Sequence, residues 1–313
     1  DNTVENTNGT AVALVFGAQG NTVRRNTVRN NEFGIANIFF SAENTVTENT
    51  VTENDVGVVS AIGAENVVSN NEITDNVAGV SGLLSFGETI ENNRINNNEE
   101  AGIVLLNSLG TDIVDNELKN NQRDFTEIFV PDAEDEAEDE FNFGDDAVDE
   151  ILDGQEENVI ERTEMGSSGT ETVLSFESNN VTVSGLDPAT VPAPPSDADG
   201  TGLYFEAEDG FDTEEFEGDL DEIDGGVDEG QVGEFEQLRS SFLDVDVHYD
   251  GAGVTDENES DLTLRRHDGR AWTEASSTVD TQEDAVSANL TEFGTFGVFV
   301  EGEKGDDDSG VGS

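Results

Sequence analysis

The sequence lacks several residue types on which common functional sites depend. It has no Cys, which excludes disulfides and thiolate metal sites. It has only one Trp and two Tyr, and none of the three lies in residues 1–130. Twelve Lys and Arg side chains face 73 Asp and Glu, so the formal net charge is −61. Because such a chain repels polyphosphate, we expect no nucleic-acid partner.

The sequence also has no apolar run near the roughly 18 residues that a membrane-spanning helix needs. We therefore expect no membrane span in this segment. Val, Leu, Ile and Phe still make up 80 of the 313 residues. This share lies above the level of roughly 20% below which a charged chain is expected to be disordered. A hydrophobic core can therefore form despite the charge.

The acidic residues are spread along the whole chain, and only two of the twelve basic residues are lysines. An acidic linker between ordinary domains would explain only part of this, because residues 1–130 alone carry a net charge of −13. Excess carboxylate is tolerated in molar salt, where the Debye length falls to about 3 Å. We therefore expect a protein adapted to high salt.

An internal repeat dominates the first 130 residues. Its rows start 22 or 23 residues apart, and each row has Asn five and ten positions after its start. The rows start at Asn21, Asn44, Asn66, Glu88 and Thr111, and the first internal Asn positions are Asn26, Asn49, Asn71, Asn93 and Asn116. The segments between turns are short and β-branched, which favours strands. A period in the twenties indicates a stacked array, and about 22 residues suit one coil of a three-sided parallel β-helix.

The frame N-x-[VI]-x-x-N-x-[VIL]-x-x-N-x-x-G-[IV] resembles the repeats of the NosD-like and pectate-lyase-like superfamily over about 130 residues of this chain. The resemblance implies a right-handed parallel β-helix. It implies no single activity, because the superfamily includes polysaccharide lyases, hydrolases, epimerases and non-catalytic surface proteins. NosD itself is linked to copper-site maturation, but this repeat region contains no His, Cys or Met to bind copper.

Stacking explains most polar residues of the repeat. Asn tolerates a left-handed turn, and its amide can bond the amide of the next coil. Glu72, Arg94 and Glu117 share one row position, so Arg94 should lie between two carboxylates. Glu53 and Asp75 are instead like-charged neighbours. They are candidates for a catalytic carboxylate pair or a cation site, although two solvated acids are the simpler interpretation.

We expect four regions along the chain. Residues 1–130 form the β-helix, and the match of Asn2–Asn6 to Asn26–Asn30 suggests that further coils precede residue 1. Residues 131–157 form an acidic linker. Residues 158–302 contain short strands separated by turns and are predicted to form a β-sandwich. Residues 303–313 form a flexible acidic tail.

The C-terminal sequence from Leu262 to Phe299 resembles the β-sandwich module of archaeal surface proteins. That resemblance places Trp272, Phe293, Phe296 and Phe299 in the core. His248 and His267 are the only histidines. Neither lies near a nucleophile motif, and both are expected at the surface.

Two short acidic motifs in residues 158–302 are weak calcium candidates. They are Asp197 with Asp199, and Asp244 with Asp246; none has the spacing of an EF-hand. No cofactor is expected to be required, and calcium is the ion that these pairs suggest. The oligomeric state cannot be read from the sequence.

Two functions remain open from the sequence. One is an extracellular or cell-surface structural or adhesive protein that binds glycans, cations or cell-surface components. The other is a polysaccharide lyase or glycoside hydrolase acting on the flank of the β-helix. Such an enzyme needs basic residues, and the candidates are Arg24, Arg29, Lys119 and Arg123.

Overall fold

The computed structural model describes residues 2–128, 157–167, 172–210 and 241–301, except residues 251, 253, 256 and 257. The regular secondary structure of these residues is all β-strand, apart from one short 3₁₀ turn at Glu259–Asp261. The predicted linker at 131–157, apart from Glu157, and the predicted tail at 303–313 lie outside the described residues. None of the helices in the described part of the chain is long and apolar enough to cross a membrane.

Residues 2–128 form a parallel β-solenoid of about five coils, which confirms the fold predicted for this part of the chain. Each coil contributes two three-residue strands and one six-residue strand. The strands are β1 (Thr3–Glu5), β2 (Thr10–Val15), β3 (Thr22–Arg24), β4 (Thr27–Arg29), β5 (Phe33–Ile38), β6 (Thr45–Thr47), β7 (Thr50–Thr52), β8 (Val56–Ala61), β9 (Val67–Ser69), β10 (Glu72–Thr74), β11 (Ala78–Leu83), β12 (Thr89–Glu91), β13 (Arg94–Asn96), β14 (Ala101–Leu106), β15 (Asp112–Val114), β16 (Glu117–Lys119) and β17 (Arg123–Ile128).

Asparagine ladders join the coils at their corners, as the repeat predicts. The Nδ2 of Asn49 lies 3.0 Å from the Oδ1 of Asn71, and that of Asn71 lies 3.0 Å from the Oδ1 of Asn93. The apolar positions beside this ladder point inward. Val51, Ile73, Ile95 and Leu118 are all 0% exposed. The Asn and Val periodicities therefore have one common cause, which is stacking.

Each ladder asparagine is fully bonded, so its loss should be costly. The Oδ1 of Asn71 accepts two hydrogen bonds from Asn49, and its Nδ2 donates to Val46, Ser69 and Asn93. Asn71→Ala should lower the free energy of unfolding by about 3 kcal/mol, because buried groups are left unpaired. Urea denaturation measures this. Thr52→Ala, on the outer side of β7, is the control and should change stability by less than about 0.5 kcal/mol.

Ten further strands follow the solenoid. They are β18 (Val159–Gly166), β19 (Thr172–Asn179), β20 (Val181–Gly185), β21 (Ala198–Asp209), β22 (Phe242–His248), β23 (Leu262–His267), β24 (Trp272–Glu274), β25 (Thr278–Asp280), β26 (Ala285–Leu290) and β27 (Gly294–Glu301). Strand β18 pairs in parallel with the last coil, and the other nine strands extend both sheets of the solenoid with antiparallel pairs. One extension runs β18-β19-β22-β26-β25, and the other runs β17-β20-β21-β27-β23-β24.

Strand β18 continues the solenoid rather than starting a separate sheet. It pairs in parallel with β15 through Ile113 and Ile160 and with β16 through Leu118 and Met165. Asn158 also takes the next ladder position, since its Oδ1 accepts the N–H of Thr111 at 2.9 Å. The strand at the start of residues 158–302, the predicted β-sandwich region, is therefore part of the solenoid coil that follows the acidic segment.

The buried side chains inside the solenoid and those between the C-terminal strands form one continuous hydrophobic cluster. Phe125 of β17 contacts Phe176 of β19 edge to face, with ring centroids 5.5 Å apart. Phe296 and Phe299 are fully buried, as predicted for the C-terminal module. Trp272 is only half-buried, with its ring centroid 4.9 Å from that of Phe299. The C-terminal strands thus cover the end of the solenoid core.

Candidate functional site

The predicted carboxylate pair lies at a solvent-exposed turn. Glu53 and Asp75 occupy successive coils, and the N–H of Glu53 donates to the carbonyl of Asp75 at 3.1 Å. Both residues are exposed and have left-handed φ angles of 57° and 58°. The structure therefore brings the pair together as predicted. Their role as a catalytic or cation-binding pair remains a prediction.

The basic residues of the solenoid flank are mostly held in ion pairs. Arg94 lies between Glu72 and Glu117 at 3.9 and 3.1 Å, which confirms the predicted charge ladder. Arg25 pairs with Glu48, as its row position predicts. Of the candidates for a lyase or hydrolase, Arg29 pairs with Glu5 and Lys119 with Glu164. These pairs stabilise the stack and neutralise the two basic groups.

The calcium candidates do not converge. Asp197 pairs with the buried Arg265 at 3.2 Å, and Asp199 is exposed on β21. Asp244 and Asp246 alternate with buried valines on β22. Within the described ranges, no group of three or more His, Cys, Asp or Glu side chains is arranged to hold a metal ion. Calcium binding by these residues remains a prediction.

His248 is buried, so the expectation that it lies at the surface was wrong. Only 7% of the residue is exposed, because β22 lies between β19 and β26. Its Nε2 lies 2.8 Å from the Oγ of Ser175 on β19. Its Nδ1 lies 3.4 Å from a guanidinium nitrogen of Arg162 on β18. No local sequence pattern signals this contact, because the three residues come from separate strands.

A serine beside a histidine raises the question of nucleophilic catalysis, and the hydrogen-bond directions argue against it. Arg162 can only donate, so Nδ1 of His248 must accept in their contact. We therefore assign the ring proton to Nε2, which donates to Ser175. A catalytic histidine has the opposite arrangement, with Nε2 free to take the serine proton. The Ser175–His248 pair instead orients Arg162, which also contacts Asp250 at 3.1 Å.

Arg162 borders a polar groove where the last coils meet strand β19. Two rows of side chains form the groove. Asn92, Asp115 and Arg162 follow one another at one corner turn, and all three have left-handed φ angles. Arg94, Glu117 and Glu164 are register partners on the adjacent strands β13, β16 and β18. The groove therefore presents guanidinium, carboxylate and amide groups in regular succession, spaced by the coil repeat of about 4.8 Å.

The strongly perturbed carboxyl groups lie inside the fold and away from this groove. Burial raises the pKa of Glu88, Asp124 and Glu127 to about 7 in each case. Glu88 replaces Asn in a ladder and accepts hydrogen bonds from Asn66 and Ser60 at 3.1 and 2.9 Å. The other two lie on β17 beneath the C-terminal strands. All three are buried groups that accept hydrogen bonds from neighbouring side chains or backbone.

The described residues thus form a parallel β-solenoid, and one side of it carries polar side chains and ion pairs. A family model described as periplasmic copper-binding protein (NosD) matches residues 1–137. A mutant of the periplasmic alginate epimerase AlgG is similar with a TM-score of 0.43 and 20% identity, covering 53% of this chain and 39% of its own. The A-module of the Azotobacter vinelandii mannuronan C-5 epimerase AlgE6 has a TM-score of 0.33 and 17% identity, with 40% and 39% covered.

The chain thus spans about two fifths of the length of each similar structure. No curated protein matches it. The description of the matched family names copper binding, but the side chains of the matched segment do not suit copper. Residues 1–137 contain no imidazole, thiolate or thioether side chain, and these are the groups that bind copper in proteins.

Proposed function

We propose that this protein is a non-catalytic component of the cell envelope or cell surface that binds a polysaccharide along the groove of Arg94, Asp115, Glu117, Arg162 and Glu164. The polar side chains of this groove are the main observation that supports the proposal. Its guanidinium, carboxylate and amide groups can donate hydrogen bonds to sugar hydroxyls and accept hydrogen bonds from them. The word periplasmic in the description of the matched family supports a location outside the cytoplasm.

The proposed lack of catalytic activity is supported by the bonds that the polar side chains of the solenoid already make with one another. The ladder amides bond one another, and Arg25, Arg29, Arg94 and Lys119 are ion-paired. The Ser175–His248 pair has the wrong proton direction for a nucleophile. A rigid stack that presents a regular row of polar groups suits adhesion to a repeating polymer.

Binding can be measured by affinity electrophoresis and calorimetry with neutral and acidic envelope polysaccharides in molar NaCl. We expect Asp115→Asn combined with Arg162→Gln to weaken binding at least tenfold. Arg25→Gln with Glu48→Gln is the matched control, because these residues lie at the same kind of corner turn outside the groove. Adding calcium or a chelator tests whether Asp197, Asp199, Asp244 or Asp246 contributes.

Two results would overturn the proposal. Equal affinity of the groove variant and the control would show that the groove is not the binding site. Release of reducing ends or unsaturated sugars, abolished by Glu53→Asn with Asp75→Asn, would show that the protein is a lyase or hydrolase acting at the exposed carboxylate pair.

A further inference from the structure

The outer side of the long-strand sheet has no charged side chain across five coils. Two rows of outward residues cross β2, β5, β8, β11 and β14, one from Ala13 to Val104 and the other from Val15 to Leu106. These rows contain Ala, Val, Ile and Leu, with a single Ser. By contrast, the outward row on the neighbouring short strands includes Glu72, Arg94 and Glu117. We call the two uncharged rows the apolar face.

The apolar face continues into the adjoining corner turn, where bulky residues adopt a backbone that disfavours them. Phe16, Phe39, Ile62 and Leu84 have φ angles of 53°, 56°, 54° and 48°. At the other corners this conformation is taken by polar residues, including Asn70 and Asn92, which tolerate it better. Apolar residues at these turns thus carry a conformational penalty, and nothing inside the solenoid requires them to be apolar.

Several of these side chains are open to solvent. Phe16 is 79% exposed and Leu83 is 39% exposed. Phe16 also stacks on Phe39 with ring centroids 5.3 Å apart. A monomeric soluble protein seldom exposes a continuous apolar area of this kind, and such an area normally marks an interaction site.

Acidic residues bound the apolar face on three sides. Glu43 and Glu65 follow the corner turn, and Glu32 and Asp55 precede the long strands; all four are exposed. At the C-terminal end, the first outward row continues through Thr126 and Thr182 to Glu208. An apolar centre within a polar rim is the usual anatomy of a protein interface.

We infer that the apolar face binds the same face of a second copy of this chain, forming a two-fold symmetric dimer. Charge supports this partner. The face itself is neutral, so two copies can meet there without burying any of the 73 carboxylates. A two-fold axis that lies in the plane of the interface, perpendicular to the solenoid axis, brings the two faces together and runs the solenoids antiparallel. It thereby separates the two C-terminal regions, which carry most of the negative charge.

The size of the face is sufficient for such a contact. Five strands about 4.8 Å apart and about 20 Å long present about 480 Å² per copy. A dimer would bury about 960 Å² from these strands, and corner-turn side chains such as Phe16 add to it, so the contact reaches the roughly 1,000 Å² expected of a specific interface. The regular, parallel stacking of the strands keeps the face even enough to pack against itself.

Sedimentation velocity in 2 M NaCl tests the inference. We expect the wild-type chain to be a dimer at micromolar concentration, and the double variant Val59→Glu with Leu83→Glu to be monomeric. Both positions are outward, so the circular dichroism spectrum should stay unchanged. The matched control is Thr52→Glu with Thr74→Glu on the outer side of β7 and β10, and it should remain dimeric.

Cross-linking provides a second readout that does not require charged variants. Because the chain has no Cys, Ser81→Cys introduces one thiol near the centre of the face. A short bismaleimide should link two Ser81→Cys copies, whereas Thr74→Cys should give no linked dimer. A monomeric wild type, or a dimer that survives Val59→Glu with Leu83→Glu, would overturn the inference. In that case the face would belong to another segment of the same chain or to a different partner.

Discussion

Replacing Glu88 with Gln should raise the free energy of unfolding by about 2–3 kcal/mol at pH 8 and by little at pH 4.5. Burial raises the pKa of this carboxyl from 4.5 to about 7, and each unit corresponds to about 1.4 kcal/mol. At pH 8 the folded protein must hold a buried carboxylate. Gln keeps the acceptor for Asn66 and Ser60 and removes the charge.

The direction in which stability changes with pH follows from proton linkage. A carboxyl with a raised pKa binds more protons folded than unfolded, so stability falls as pH rises between the two values. The destabilisation is absent below about pH 4 and complete above about pH 7. Asp124 and Glu127 act in the same direction, since burial raises the pKa of each to about 7. The wild-type protein should therefore become more stable on acidification from pH 8 to pH 5.

Urea denaturation at pH 8, 6.5 and 5 measures both effects. The control is Glu53→Gln, which removes an acidic side chain at an exposed turn and leaves the buried carboxyl groups in place. A constant difference between Glu88→Gln and wild type across this range would contradict the argument. It would mean that the buried carboxyl is ionised or protonated throughout.

The solenoid could be predicted from the sequence because each coil repeats the same local chemistry. The Asn positions at fixed spacing specify both the ladder and the inward Val, Ile and Leu residues. The charge ladder of Arg94 followed from its row position alone. These predictions needed only the repeat and no knowledge of the C-terminal strands.

The prediction ended the solenoid at residue 130 and did not include the strand that returns to it after the acidic segment. The sequence nevertheless contains a signal for this return. Asn158-Val159-Ile160 repeats the Asn-x-Val start of earlier rows, and it lies 47 residues after Thr111 instead of 22 or 23. An insertion inside one coil hides the period. Stacking tolerates it because loop closure becomes only slightly less favourable as a loop lengthens.

The groove and the burial of His248 could not be predicted from local patterns. The β-strand alternation places Val245 and Val247 inside and leaves His248 on the side that would be expected to face solvent. The outer side of β22 is covered there by Arg162 and Ser175, from two strands more than 70 residues away in the chain. Alternation shows which side of a strand is apolar, but not what packs against the other side.

The largest expected effect is that of salt. Lowering NaCl from 2 M to 0.1 M should reduce the melting temperature by more than about 10 °C. The Debye length grows from about 3 Å at 1 M to about 10 Å at 0.1 M, so carboxylates on neighbouring coils, such as Glu53 and Asp75, then repel one another. A loss of several kcal/mol corresponds to a shift of this size in a chain of this length.

Salt also weakens attractive ion pairs, but that opposing effect is smaller. Arg94 is the central residue of a three-residue charge ladder, and exposed pairs of this kind contribute about 0–1 kcal/mol each. With 73 acids against 12 bases, repulsion dominates. Thermal melting followed by circular dichroism checks this. Sucrose is the control, because it favours burial but does not screen charge. A melting temperature that stays constant in NaCl down to about 50 mM, or one that sucrose restores as well as NaCl does, would contradict adaptation to high salt.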